Sequence, residues 1–253
     1  MCFDSDSTPP IPRLAGAAVS HRDVVLEAAD GNRFAGFAAS PDEPSGAGIV
    51  VLPDVRGLYR FYEELALRFA ERGHASVATD YFGRTAGVGK RDDGFPYTEH
   101  VARTTAEGVQ RDVAAAVAYL RSPGGGSCDA VFTVGFCFGG RHSWLCAAGG
   151  HSLAGAIGFY GGPGPFRDGS PGPLQRVGEI AAPILALMGG DDPGIPVEDI
   201  TAFDQALDAA GVEHEVVVYP GAPHSFFDRK HEEFAAASED AWTRTLAFVA
   251  RYS

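Results

Sequence analysis

Five short runs without a charged side chain recur along this sequence, at residues 48–52, 75–79, 130–134, 154–159 and 184–187. A strand with one wet face alternates apolar and polar residues, whereas a strand buried on both faces does not. Runs of this kind therefore belong in a parallel sheet covered on each side. Between them lie stretches with helical spacing. Leu65, Ala66, Phe69 and Ala70 mark a helix over 63–71 that Gly73 stops. Further helices are predicted over 105–120, from the 135–140 turn through Ala148, over 197–210 and over 232–250. Residues 24–28 and 33–39 flank Asp30-Gly31-Asn32 and read as a hairpin, and 213–218 reads as another strand. This order predicts one α/β domain over 19–253, with a mostly parallel central sheet and helices on both faces. Residues 1–18, rich in Pro, Ser and Ala, are expected to form a loosely attached N-terminal arm.

Charge and cysteine content narrow the partners. A formal charge of −13 argues against nucleic acid and anionic membrane surfaces. The same acidic body repels acidic ligands at long range, so an anionic substrate would need arginines placed locally. The 4 cysteines show neither CxxC spacing nor a Cys/His knuckle, so no disulfide framework and no metal are expected. The first residues carry no basic or long apolar segment, and no run is long enough to span a bilayer. A cytoplasmic protein is expected, in which a free thiol persists.

In an open parallel sheet the ligand site lies beyond the carboxyl ends of the strands. That points to the loops 53–60, 80–97, 189–196 and 221–229 and to the turns at Cys137 and Tyr160. The most informative is Gly135-Phe136-Cys137-Phe138-Gly139, between an apolar strand and a helix. It has the pattern of a nucleophile elbow with cysteine where serine is usual, the glycines leaving room for a tight strand-to-helix turn. No Gly-x-Ser-x-Gly competes with it. The helix N-terminus under the sulfur favours a thiolate and a developing oxyanion alike. A triad on this fold follows the chain order nucleophile, acid, histidine. Asp191 or Asp192 supplies the acid, and His224 the base. The oxyanion is expected to be held by the backbone N–H groups of Phe138 and Val55. Among the loop aromatics, Tyr160 and Phe82 are the expected pocket walls. The segment from Tyr160 to Ala182 is too short and too rich in Gly and Pro for a large cap domain.

Taken together, Pro53-Asp54-Val55-Arg56-Gly57, Asp80-Tyr81-Phe82-Gly83-Arg84, the Cys137 elbow, Gly189-Gly190-Asp191-Asp192 and Pro223-His224-Ser225-Phe226 resemble the dienelactone hydrolase (carboxymethylenebutenolidase) family. The likeness spans roughly 20–250 with all five motifs in register. It implies an α/β-hydrolase fold, a Cys-His-Asp triad and no cofactor. It further implies a lactone or small ester as substrate, attacked by Cys137 through a thioester. By the same resemblance Asp192, not Asp191, is the acid. Asp54 stands where the family has a glutamate that gates the resting thiol, although a local pair with Arg56 is an equal use for so short a side chain. The resemblance also assigns Arg84 to a substrate carboxylate. The family's second arginine position is Asp228 here, leaving Arg56 and Arg229 as substitutes. A thioesterase or acyltransferase, or a ligand-binding homologue without turnover, are the alternatives.

Overall fold

The computed structural model describes residues 7–92, 94–228 and 230–253. The strands are β1 (Val19–Glu27), β2 (Arg33–Pro41), β3 (Ala47–Leu52), β4 (Ala75–Thr79), β5 (Ala130–Phe136), β6 (Gly155–Phe159), β7 (Ile184–Gly189) and β8 (His214–Tyr219). The helices are α1 (Arg60–Ala70), α2 (Gly83–Ala86), α3 (Tyr97–Val101), α4 (Ala106–Arg121), α5 (Phe138–Ala147), α6 (Val197–Ala210) and α7 (Ala235–Tyr252). The strands form one sheet in the order β1-β2-β4-β3-β5-β6-β7-β8. β1 and β2 are antiparallel, β2 joins β4 antiparallel, and the rest of the sheet is parallel.

The charge-free runs are the strands buried on both faces. All six residues of β3 are buried. Because strand side chains alternate, Ile49 and Val51 join a core with Phe61 and Leu65 of α1, while Val50 and Leu52 join one with Val113 and Leu120 of α4. Thr105 caps α4, its hydroxyl accepting from the N–H of Gly108 at 3.1 Å. Gly158 in β6 is a packing glycine: a Cβ there would stand 2.4 Å from Trp144 Cε2. The Trp144 indole then reaches across to donate to Leu185 O at 3.2 Å.

The hairpin is longer than its turn residues suggested, because β1 pairs with β2 along its whole length. The segment 80–97 also contains the short helix α2 and the start of α3. The end of the N-terminal arm is pinned rather than loose. Ile11 is buried in the α1-side core, Arg13 pairs with Glu64 at 3.2 Å, and the Leu14 N–H donates to Glu71. Among the described residues no helix is long and apolar enough to cross a membrane.

β3 lies between β4 and β5, so the chain reverses its direction of winding there. The carboxyl ends of β3 and β5, paired at Leu52 and Gly135, bound a crevice of the kind that binds ligands in open α/β sheets.

Candidate active site

At the end of β5 the chain turns sharply into α5 through Cys137, whose backbone angles are φ 57° and ψ −113°. A side chain in this region is strained, and such strain persists only where surrounding structure imposes it. Here the constraint is backbone against backbone. A Cβ on Gly139 would sit 2.2 Å from Leu52 O and 2.3 Å from Pro53 O, and one on Gly135 would sit 2.0 Å from Gly139 O. The elbow is also stitched to the sheet, since the Cys137 N–H donates to Phe159 O at 3.0 Å. The thiol is thereby held at the crevice, partly exposed. Of the five described non-glycine residues with positive φ, Cys137, Tyr160 and Ser225 all lie in the loops expected to build the site.

His224 and Asp192 come from the loops that follow β8 and β7. His224 Nδ1 lies 2.6 Å from Asp192 Oδ2, a short contact typical of a carboxylate hydrogen bond. Asp192 Oδ1 accepts from the Gly194 N–H at 2.8 Å. Asp192 is buried and its neighbour Asp191 is exposed, so Asp192 is the carboxylate that holds the imidazole. The carboxylate beside Nδ1 favours the imidazole tautomer with its proton on that nitrogen. The Tyr160 ring packs 4.9 Å from His224, and its hydroxyl donates to Asp228 at 2.7 Å. Among the described residues no hydrogen bond reaches the Cys137 sulfur in this resting arrangement. Catalytic contacts of this type commonly tighten only with substrate.

The N–H groups of Phe138 and Val55 donate to no acceptor among the described residues. They sit on the two sides of the β3–β5 crevice. Asp54 is fully buried there: its Oδ1 accepts from the Arg56 N–H at 2.9 Å, and its Oδ2 is 3.6 Å from Arg56 Nε. The Arg56 guanidinium lies over the Tyr59 ring at 5.2 Å. Asp54 and Arg56 are thus partners.

Two expectations are not met by the geometry. Arg84 does not present its guanidinium for a substrate carboxylate. It is held by Asp30 and Asp112, the latter at 2.7 Å, because the hairpin turn and α4 both bring a carboxylate to α2. Phe82 is no pocket wall either. It is completely buried, with Phe95 and His100 packed 5.3 and 5.9 Å from its ring. Arg229 lies outside the described residues, as does Cys2.

Cys146 is buried and its thiol is pushed up by burial to about 12, which removes it as a competing nucleophile. Cys128 is likewise buried and raised. Among the described residues no group of three or more His, Cys, Asp or Glu is arranged to hold a metal ion.

Sequence reading passed over two neighbours on α5, Arg141 and His142. The only signal was their place one turn beyond Cys137. His142 is buried against Phe138 at 4.4 Å and Phe166 at 5.5 Å, and neither ring nitrogen has a hydrogen-bond partner among the described residues. Burial, aided by the charge of Arg141, pushes its pKa down from 6.5 to about 3. The fold therefore keeps it neutral while the unfolded chain takes up a proton, so stability falls as pH drops below 6.5 toward about 3. Replacing His142 with Phe is expected to remove up to about 1.4 kcal/mol of acid destabilisation per pH unit in that window. Urea midpoints between roughly pH 6 and pH 4 measure it, and an unaltered slope would contradict the assignment.

The family model for the dienelactone hydrolase family matches residues 34–253. The chain belongs to the dienelactone hydrolase family. A carboxymethylenebutenolidase of Rhodococcus opacus is 31% identical over 275 aligned residues, covering 100% of this chain and 97% of that one. An Escherichia coli (strain K12) protein assigned the same activity is 31% identical over 229 residues, covering 88% of this chain and 84% of its own. A crystal structure of a Klebsiella pneumoniae protein assigned as a dienelactone hydrolase superposes with a TM-score of 0.80 at 27% identity, covering 93% of this chain and 100% of that one. The protein is a dienelactone hydrolase-like hydrolase with the α/β-hydrolase fold, and family membership implies a small ester or lactone substrate.

Proposed function

We propose that Cys137 attacks the carbonyl of a lactone or small ester, with His224 as base and Asp192 as the group that orients it. The observation that carries this reading is the Asp192–His224 contact of 2.6 Å on the same sheet edge as a strained elbow cysteine. His224 Nε2 takes the thiol proton as sulfur bonds to the carbonyl carbon. The oxyanion is received by the N–H groups of Phe138 and Val55. Collapse of that intermediate breaks the carbonyl–oxygen bond, and His224 returns the proton to the departing alkoxide. Water, deprotonated by His224, then cleaves the thioester and releases the acid. In a lactone the departing alkoxide stays attached, and the product is a hydroxy acid.

Acid quenching during turnover of p-nitrophenyl acetate, followed by peptide mass spectrometry, tests the covalent step. An acetyl group on the Cys137 peptide is expected. Continued turnover with no adduct at Cys137, or with the adduct on another residue, would overturn the mechanism.

Asp54 enters the proposal as the gate on Cys137 that the family resemblance implies, and its contact with Arg56 supports a second, purely local role. In Asp54→Ala the pH profile of Cys137 alkylation by iodoacetamide is expected to differ from that of the wild type if Asp54 acts as a gate. A profile identical to that of the wild type leaves Asp54 with the local role alone.

A further inference from the structure

Tyr160, like Phe82, is completely buried, so neither aromatic expected to wall the pocket presents a surface to a ligand. Two partly exposed aromatics flank the first turn of α5 instead. Phe138 directly follows Cys137, and Phe166 comes from the loop after β6. The buried ring of His142 joins them, 4.4 Å from the Phe138 ring and 5.5 Å from that of Phe166. Arg141 also meets Phe166, its guanidinium carbon 4.6 Å from the ring centre.

The loop is built to hold that ring in place. Helical side chains lean toward the N-terminus of their helix, so Arg141 and His142 run back toward the turn at Cys137. Arg141 Nε donates to Gly162 O at 2.6 Å, and Gly162 makes room for the approach, because a Cβ there would stand 2.7 Å from Arg141 Nη2. A Cβ on Gly161 would stand 2.6 Å from the Arg141 backbone nitrogen, so the loop starts flush against α5. Its base is closed where the Leu174 N–H donates to Pro163 O at 2.9 Å. At its tip the Phe166 N–H donates to Ser170 O at 2.9 Å, and Asp168 accepts from the N–H and the hydroxyl of Ser170. A loop with close ends and bonds of its own keeps its shape without joining the core. Phe166 accordingly belongs to neither hydrophobic core. A cation and a neutral imidazole fix its ring, within one helical turn of the residue that follows the nucleophile.

We propose that Phe166 is a specificity-determining residue of this site: its ring closes the crevice on the α5 side of Cys137, so that short acyl groups are accepted and extended ones excluded. The proposal rests on Cys137 as the nucleophile.

The kcat/KM values for p-nitrophenyl acetate and p-nitrophenyl hexanoate test it, because the two esters share a leaving group and differ only in acyl length. In Phe166→Ala the hexanoate-to-acetate ratio is expected to rise about tenfold, the scale on which an apolar pocket separates substrates by size. The acetate value should be little changed. Phe166→Leu, which keeps an apolar side chain on the loop, should lie between and carries the test if the alanine protein does not fold. Phe166→Trp should lower the ratio. An unchanged or reduced ratio in Phe166→Ala would overturn the proposal. So would an equal loss on both esters, which would mean that the ring only supports the loop. If instead the nucleophile assignment is at fault, Cys137→Ala retains ester turnover, whatever the ratio in the Phe166 variants.

Discussion

Replacing Cys137 with alanine is expected to lower turnover of p-nitrophenyl esters and small lactones by about 10⁴-fold or more, the loss found when a triad nucleophile is removed. Cys146 cannot substitute, because it is enclosed and its thiol is held protonated to about pH 12. The fold should barely notice the alanine, since the elbow is shaped by Gly135, Gly139 and the backbone of Leu52 and Pro53 rather than by the sulfur. Glycine at 137 should go further. With φ at 57° and ψ at −113°, removing the Cβ relieves strain of about 1–3 kcal/mol, partly offset by the greater freedom of glycine when unfolded. Cys137→Gly is therefore predicted to be inactive yet at least as resistant to heat as the natural protein. Steady-state rates and thermal melts on the same preparations check both halves. Unchanged turnover in Cys137→Ala would end the case for this nucleophile.

The second large effect belongs to Asp192. Asparagine is nearly isosteric and would keep an acceptor for the Gly194 N–H, but it offers His224 an amide donor in place of a carboxylate. The imidazole then loses the partner that holds its proton on Nδ1. By analogy with the same change in other triads, kcat should fall about 10³–10⁴-fold with KM little changed. Asp191→Asn is the matched control. That side chain is exposed, and among the described residues only the Asp191 backbone N–H is engaged, with Ala222 O at 2.9 Å. Its kcat should stay within about twofold, as for an ordinary surface change. Comparable losses in the two variants would remove Asp192 from the role proposed for it.

Much of the architecture was legible because burial on both faces writes itself into composition: Val50 and Val51 point opposite ways and both are apolar. The elbow was legible because its glycines answer a steric demand that any side chain would violate. Arg84 shows where reading along the chain runs out. Its motif survives, but the carboxylates that hold it come from Asp30 and Asp112, distant in sequence and brought together only by the hairpin and α4. Phe82 failed similarly, since whether an aromatic lines a pocket or fills a core depends on what covers it, here Phe95 and His100. Ile11 is a third example: a Pro-rich segment looked loose, yet one apolar side chain anchors it. Arg141 carried no motif at all. Its position follows from the lean of helical side chains and from a glycine in another loop.

The close approach of Gly139 to Leu52 and Pro53 has a consequence for how such an enzyme can diversify. The donors proposed for the oxyanion, at Phe138 and Val55, belong to two segments that touch through main-chain atoms at this point. Their spacing is consequently insensitive to which side chains surround them. The loops that would meet the rest of a substrate lie outside that unit. Drift in those outer residues can exchange one clientele of esters for another while the carbonyl-activating frame stays as it is. A single methyl at residue 139, by contrast, would pry the frame apart.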